Sequence, residues 1–307
     1  MKEIVVISGK GGTGKTSIVA SFAALAENAV FADCDVDAAD LHLILEPEIR
    51  SVTEFKSGQE AVIVTEKCAG CGECMDLCRF DAIACRIVDG RPDEYYIDSV
   101  NCEGCGVCVH FCPAGAIDFP ERLCGEWYIS DSRFGPVVHA RLGIAAENSG
   151  KLVSLVRHNS RKLAEEKNCE IILVDGPPGI GCPVIASVTG ADAVIVVTEP
   201  TLSGEHDLER VLSLTKHFKI PAIVCINKWD INPEIGFRIE SKAEMLGAVV
   251  AGRIPYDDSV TKAQVLGKAV VEYNDGEASR NIRSLWIRVN DIVSEIDIID
   301  KNLKQGD

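Results

Sequence analysis

Eight of the fourteen cysteines in this 307-residue chain fall in two runs of equal spacing, Cys68, Cys71, Cys74, Cys78 and Cys102, Cys105, Cys108, Cys112. Each run reads C-x2-C-x2-C-x3-C. Such spacing lets three thiolates from one tight loop take three corners of an iron–sulfur cubane, while the fourth leaves on a helix toward a second cluster. Two runs therefore imply two [4Fe-4S] clusters with exchanged fourth ligands. Zinc sites usually pair two C-x2-C knuckles, so three cysteines at double x2 spacing with a remote fourth suit iron and sulfur better. Disulfides are disfavoured, because no signal peptide precedes the chain and Glu3 to Ser8 reads as a buried strand. The expected compartment is the reducing cytoplasm.

A second chemistry opens the chain, where GKGGTGKT spans Gly9 to Thr16. The segment satisfies G-x-G-x-x-G of dinucleotide folds and G-x4-G-K-T of phosphate loops together, and Lys15 and Thr16 decide between them. Stacked backbone N–H groups at a helix start cradle phosphates, the lysine neutralises their outer oxygens, and the threonine hydroxyl holds Mg2+. Gly9, Lys10, Gly11, Gly12, Thr13, Gly14, Lys15, Thr16 and Ser17 are the expected nucleotide-binding residues. Downstream, IILVDGPPG at Ile171 to Gly179 is an apolar strand ending on a carboxylate and a Gly/Pro turn. That pattern assigns Asp175 to Mg2+ through water.

The cysteine runs repeat beyond their cysteines. CAGCGECMDLCRFDAI at Cys68 to Ile83 aligns without a gap on CEGCGVCVHFCPAGAI at Cys102 to Ile117. This internal duplication resembles the two-cluster bacterial ferredoxins, and the resemblance implies that Cys68, Cys71, Cys74 and Cys112 hold one cluster and Cys102, Cys105, Cys108 and Cys78 the other. The second run keeps a proline after its last cysteine, Pro113, whereas the first has Arg79, which leaves the turn at Cys78 less constrained.

KGGTGKT at Lys10 to Thr16 resembles the deviant Walker A of the MinD/ParA-type ATPases, as do DCD at Asp33 to Asp35 and the VDGPPG segment. The resemblance implies that Lys10 reaches across a nucleotide-sandwiched homodimer to the partner's phosphates. It also implies that Asp33 contacts a Mg2+ water, that Asp35 orients the attacking water and that Asn227 lies near an adenine base. N-K-x-D at Asn227 to Asp230 is also how G-proteins read guanine, with Asp230 accepting from the base edge; ATP is favoured on the family resemblance. Lys10, Lys15 and Asp35 are the expected catalytic residues. The GPVVHARL and ENSGKL stretches, Gly135 to Leu142 and Glu147 to Leu152, also look like the branch of this superfamily that carries an inserted ferredoxin domain.

These residues need a scaffold. Apolar runs at Glu3 to Ile7, Ala29 to Ala32, Ile171 to Val174, Ala193 to Val197, Ala222 to Ile226 and Ala248 to Gly252 alternate with helical stretches. Such alternation predicts an α/β fold, a doubly wound and mostly parallel sheet with its ligand at the strands' carboxyl ends. The expected architecture is a discontinuous P-loop ATPase domain, residues 1–59 and 123–307, with an α+β ferredoxin-like insert at 60–122. Lys151 to Lys167 and Ile282 to Leu303 have helical apolar spacing, the latter as a helix packed on the sheet.

A net charge of −16 argues against direct nucleic-acid binding, which needs a basic stripe. No stretch approaches the roughly 20 apolar residues that span a bilayer, and acids at Asp291, Glu295, Asp297 and Asp300 argue against the C-terminal helix lying on anionic lipid. Of the remaining cysteines, Cys182, seven residues past Asp175, is set against the bridging-cluster cysteine of the nitrogenase iron protein and read as a structural thiol. The sequence thus predicts an ATP-binding iron–sulfur protein in which nucleotide-driven dimer closure gates electron transfer to a redox partner. A redox-sensing positioning ATPase is the alternative. A cluster-assembly carrier ranks behind both, since eight ligands saturating two clusters argue for keeping them and the C-terminal segment lacks a C-x-x-C.

Overall fold

The computed structural model describes residues 1–88, 91–143 and 149–305. Two compact units emerge. One comprises Met1–Thr53, Trp127–Arg141 and the chain from Ser149 onward; the other comprises Glu54–Glu126 with Leu142 and Gly143.

The first unit begins with β1 (Lys2–Ser8), α1 (Lys15–Leu25), β2 (Ala29–Asp33) and the short α2 (His42–Leu45). The chain then leaves along β3 (Glu48–Gln59) for the second unit, where β4 (Val62–Ile63), α3 (Glu73–Leu77), β5 (Ile83–Val88), β6 (Arg91–Ile97), α4 (Val107–Phe111) and β7 (Ile117–Asp118) follow. It returns along β8 (Glu121–Ser132) and, through a two-residue turn, β9 (Gly135–Leu142). The remainder alternates regularly: α5 (Ser149–Lys167), β10 (Ile171–Pro178), α6 (Cys182–Val188), β11 (Ala193–Thr198), α7 (Leu202–His217), β12 (Ala222–Asn227), α8 (Pro233–Met245) and β13 (Val249–Ile254). Helices α9 (Ser259–Val265), α10 (Val270–Tyr273) and α11 (Glu277–Gln305) complete it.

Nine strands form one sheet in the order β13-β12-β11-β1-β10-β2-β9-β8-β3. From β13 through β9 each described pairing is parallel. AVIVVT of β11 is buried along its whole length, the signature of a parallel strand covered on both faces rather than of an alternating one. Phe22 of α1 and Trp286 of α11 meet with ring centres 4.8 Å apart and planes tilted by 36°, and Ile282, Leu285, Val289 and Val293 join the same core. Up to Val293 the apolar face of the terminal helix is therefore spent on packing, as its spacing predicts; the side chains from residue 297 onward lie outside the described residues.

The sheet is wider than the apolar runs indicate. GPVVHARL is β9, hydrogen-bonded beside β2, and β8 and β3 extend the sheet past it. The unit boundaries fall inside the two twelve-residue strands, at Thr53/Glu54 in β3 and Glu126/Trp127 in β8, rather than at residues 59/60 and 122/123. The run EIRSVTEFKSGQ is exposed at all but two positions, so it carries no burial period from which a strand could be read. Of ENSGKL, Glu147 and Asn148 lie outside the described residues and the rest opens α5. Among the described residues no helix is long and apolar enough to cross a membrane.

Candidate functional site: a phosphate-loop cleft and two four-cysteine cavities

β1 ends at Ser8 and α1 starts at Lys15, so the loop between them presents the start of α1 at the carboxyl edge of the sheet, next to the order reversal between β10 and β11. Gly14 takes φ +88°, and any side chain there would meet the Asn227 amide. Only glycine allows both the left-handed turn and that approach. The loop lines a cleft of about 760 Å³ together with Asp35, Leu43, Ile44, Lys228, Tyr256, Val260 and Gln264, a size usual for small-ligand sites. Gly11 to Ser17 all line it. Gly9 does not; it admits Asp207 of α7 against the loop's backbone.

The acids gather at adjacent strand ends. Asp175 of β10 pairs in register with Asp33 of β2, and Asp33 with His139 of β9. Lys15 Nζ lies 2.5 Å from Asp175 Oδ1 and 3.5 Å from Asp35 Oδ2. Burial alone would depress the Lys15 ammonium, but the carboxylates of Asp175 and Asp35 outweigh it and hold the lysine above its usual range. Burial, reinforced by Asp175, pushes the Asp33 carboxyl well up; burial raises Asp35 as well, against the pull of Lys15. Asp33 accepts from the backbone N–H groups of Asp35 (3.2 Å) and Leu41 (3.3 Å), so it shapes the segment leading into α2. Of the five buried side-chain polar atoms without a partner among the described residues, Thr13 Oγ1 and Asp175 Oδ2 stand here. Buried polar atoms are rarely left so, and a phosphate with its hydrated Mg2+ is the chemistry that would satisfy them. With Thr16 and Asp35 both lining the cleft, the residues fit a magnesium nucleotide.

Besides Gly9, the expected site residues Lys10, Asp33, Asp175 and Asn227 do not line the cleft itself, and Asp230, the carboxylate of the guanine alternative, is engaged elsewhere. Lys10 does not line the cleft; its Nζ lies 2.6 Å from Glu199 Oε1 and donates to Ser203 Oγ at 2.9 Å in its own chain. Asn227 is likewise absent from the lining. Its Nδ2 donates to the Thr13 carbonyl at 2.7 Å, bracing the loop from behind rather than facing a base. Asp230 Oδ1 accepts from Tyr256 N at 2.6 Å, so that carboxylate ties two loops together. Lys228, missed in the sequence, bonds the Gly12 carbonyl (2.9 Å) and Glu199 (3.2 Å); its place in N-K-x-D was the only signal for it. Although burial opposes it, the hydrogen bonds from Lys10 and Lys228 keep Glu199 below the ordinary carboxylate range. Tyr256 and Gln264 follow the last sheet strand, in positions no motif marks.

In the second unit the two cysteine loops fold alike. Gly72 and Gly106, equivalent in the repeat, precede α3 and α4 with φ +78° and +75°. Each short helix carries its third cysteine inward and ends on the fourth. One cavity is lined by Cys68, Cys71, Cys74 and Cys112 with Tyr95, Pro113 and Ile117. The other is lined by Cys78, Cys102, Cys105 and Cys108 with Phe80, Ile83 and Ile97. The fourth cysteine of each run therefore stands with the first three of the other run. Among the described residues no group of three or more His, Cys, Asp and Glu converges tightly enough for a single ion; the thiols ring a space instead. Burial pushes the Cys74 and Cys108 thiols up, so deprotonated sulfur there calls for a positive centre. Cys182 is exposed at the start of α6, with no cysteine in either ring from its own unit.

Residues 4–270 match the description CobQ/CobB/MinD/ParA nucleotide binding domain. An uncharacterised protein of Methanocaldococcus jannaschii is 30% identical over 295 residues, covering 95% of this chain and 97% of its own. An iron–sulfur cluster carrier protein of Pyrococcus abyssi is 30% identical over 125 residues, 36% of this chain and 42% of its own. The cell division ATPase MinD of Pyrococcus furiosus shares the fold, with a TM-score of 0.54 at 16% identity over 95% of this chain and 99% of that one. With a complete phosphate loop, a carboxylate at Asp175 in β10 and a match over most of its length, the chain belongs to the CobQ/CobB/MinD/ParA nucleotide-binding family and is a P-loop ATPase.

Proposed function

We propose that this ATPase carries two [4Fe-4S] clusters in a ferredoxin-like insert and uses its nucleotide state to gate single-electron transfer to a redox partner. The observation that carries the reading is the sorting of eight cysteines into two cavities of four, each with three from one run and the last from the other. That exchange is how a duplicated C-x2-C-x2-C-x3-C loop holds two cubanes. When bound, such clusters supply one-electron chemistry at low potential. The chain's own residues provide the thiolates, the apolar walls and the tight glycine turns that bring the cysteines round.

On the nucleotide side, Gly11 to Ser17 hold the phosphates and Lys15 turns from Asp175 to the phosphate oxygens. Thr16 and Asp175 would hold Mg2+, which would supply charge neutralisation at the phosphates, and Asp35 would orient the attacking water. Lys10, released from Glu199, reaches a second copy of the chain in a nucleotide-dependent homodimer. Coupling follows the chain: the segment carrying Asp33 and Asp35 runs through α2 directly into β3 and on into the cysteine unit.

A cluster-delivery role, suggested by the partial likeness to the cluster carrier protein, is disfavoured because every cysteine of both cavities is committed. The deciding experiment is anaerobic purification with iron and sulfide counting, then ATPase assays on oxidised and dithionite-reduced protein. About eight iron and eight sulfide per chain, with a hydrolysis rate that depends on cluster oxidation state, is the expected result. Zinc in the cysteine sites would overturn the cluster assignment, and identical rates in both redox states would overturn the coupling.

A further inference from the structure

One guanidinium holds the end of one helix that walls the nucleotide cleft and the turn that follows the other. Leu43 and Ile44 of α2 form one wall, and Val260, Gln264 and Val265 of α9 form the other. Arg133, first residue of the turn between β8 and β9, donates from Nη1 to the Ile44 carbonyl at 2.7 Å and from Nη2 to the Gly267 carbonyl at 3.1 Å. Nη2 also donates to Glu272 Oε2 at 2.8 Å, and the same carboxylate oxygen accepts from Ala269 N at 2.9 Å, closing the start of α10. The guanidinium lies 4.5 Å over the Phe134 ring, which fixes its plane.

The last carbonyls of a helix have no partner inside it, and a cation there is favoured by the helix dipole as well. Helix α2 has only four residues, too few to hold itself in water. Its left-handed stop at Glu46 (φ +46°) is another strained element that needs support. Arg133 supplies that support, and by holding Gly267 with the same nitrogen fork it sets the separation of the two walls. A planar, multiply donating side chain can do this where a lysine's single ammonium cannot.

The location of this clasp adds a second consequence. Arg133 follows Ser132, the last residue of β8, and β8 begins at Glu121 in the cysteine unit. Glu46, which ends α2 and stands 3.8 Å from the guanidinium, lies two residues before β3, which ends in that unit. The strand that leads to the cysteine unit therefore starts, and the strand that returns from it ends, at residues tied to Arg133.

We propose that Arg133 is a positioning residue for ATP, holding α2 and α9 at the spacing the nucleotide requires, and that this clasp is where nucleotide occupancy is passed to β3 and β8. The second half rests on the redox coupling proposed above; the first does not. By linkage, a clasp that responds to ATP must also make ATP affinity respond to whatever moves the two strands.

The test uses full-length, anaerobically prepared protein and a fluorescent ATP analogue. Arg133→Ala should weaken nucleotide binding about tenfold, a loss of about 1.4 kcal/mol, while kcat at saturating ATP stays within about twofold of wild type. Amide hydrogen exchange should quicken together in residues 41–46 and 263–268. Arg133→Lys should recover only part of the affinity, and should that alanine variant fail to fold, Arg133→Lys and Glu272→Gln carry the same readouts. Unchanged affinity, or faster exchange in only one of the two segments, overturns the positioning role. For the transmission role, reduction of the wild-type protein should shift ATP affinity and the shift should vanish in Arg133→Ala; a shift that persists in the variant overturns it. No shift in wild type would defeat the redox coupling itself, leaving the positioning result to stand on its own.

Discussion

Lys15 and Asp175 form a buried ion pair, Nζ to Oδ1 at 2.5 Å with 6% and 1% of their side chains exposed, and this pair closes the phosphate loop onto the ends of β2 and β10. In the nucleotide complex proposed above the same lysine would serve the phosphates, so nucleotide binding would exchange one anionic partner for another. Removing Lys15 leaves the buried Asp175 carboxylate uncompensated, which typically costs about 3–5 kcal/mol, whereas removing Asp175 leaves the lysine with Asp35 at 3.5 Å.

Lys15→Ala should therefore abolish hydrolysis, by at least ~100-fold as for loss of other transition-state charge stabilisers, while iron and sulfide content stays at the wild-type level. Asp175→Asn should lose Mg2+-dependent turnover too, and its unfolding midpoint without nucleotide should drop. Loss of iron and sulfide from the lysine variant would show that the two units do not hold their ligands independently.

Cys112→Ser and Cys78→Ser separate the exchanged arrangement from a simple one. In the cavity geometry, Cys112 stands with Cys68, Cys71 and Cys74. Its replacement should disturb that cluster and leave the one at Cys102, Cys105 and Cys108 intact, taking iron from about eight toward about four per chain. Electron paramagnetic resonance of the reduced variants should show complementary losses. The opposite assignment of signals would reject the exchange.

Glu199 holds Lys10 at 2.6 Å and Lys228 at 3.2 Å. Glu199→Gln should weaken both contacts and free Lys10, raising the fraction of ATP-dependent dimer several-fold at fixed protein concentration in sedimentation velocity. An unchanged or smaller dimer fraction would mean that the resting contact does not compete with Lys10's role across a dimer.

His139 supplies a pH dependence. Burial, with the nearby His42 adding, lowers its imidazole to about 4; the ring stacks on Tyr128 at 4.8 Å and shares a 2.9 Å hydrogen bond with Ser130 Oγ. The unfolded chain takes up a proton near pH 6.5 and the folded one only near 4, so in that window the unfolded state binds more protons and stability falls as pH falls. Chemical denaturation at about pH 7.5 and about pH 5 should show a smaller acid loss for His139→Gln than for wild type. Equal losses would place the acid sensitivity in other groups.

Much of the molecule was legible in its residues because the signals are local. Lys15 and Thr16 separate a phosphate loop from a dinucleotide loop within eight residues, and strands such as AVIVVT declare a buried parallel sheet by being apolar without alternation. The cysteine spacing is local too, since three thiols at x2 intervals can share one loop; which fourth cysteine stands with them came from the ferredoxin resemblance, and the two cavities of the folded chain group them in the same way.

What only the tertiary structure decided are relations between residues far apart in the chain, where no periodicity or motif reports the partner. The exposed EIRSVTEFKSGQ leaves no burial pattern, yet it is an edge strand of the sheet. Lys10 and Asn227, for which the family resemblance implies contacts with a partner's phosphates and a base, rest here on Glu199 and Thr13, because an ammonium or an amide takes whatever acceptor the fold brings near. Arg133, in no motif, gathers Ile44, Gly267 and Glu272 from three distant segments. The order of residues determined the chemistries this chain can perform; the packing of separate elements decided which side chains are free to perform them, since hydrogen bonds and ion pairs are set by distance in space and not by distance along the backbone.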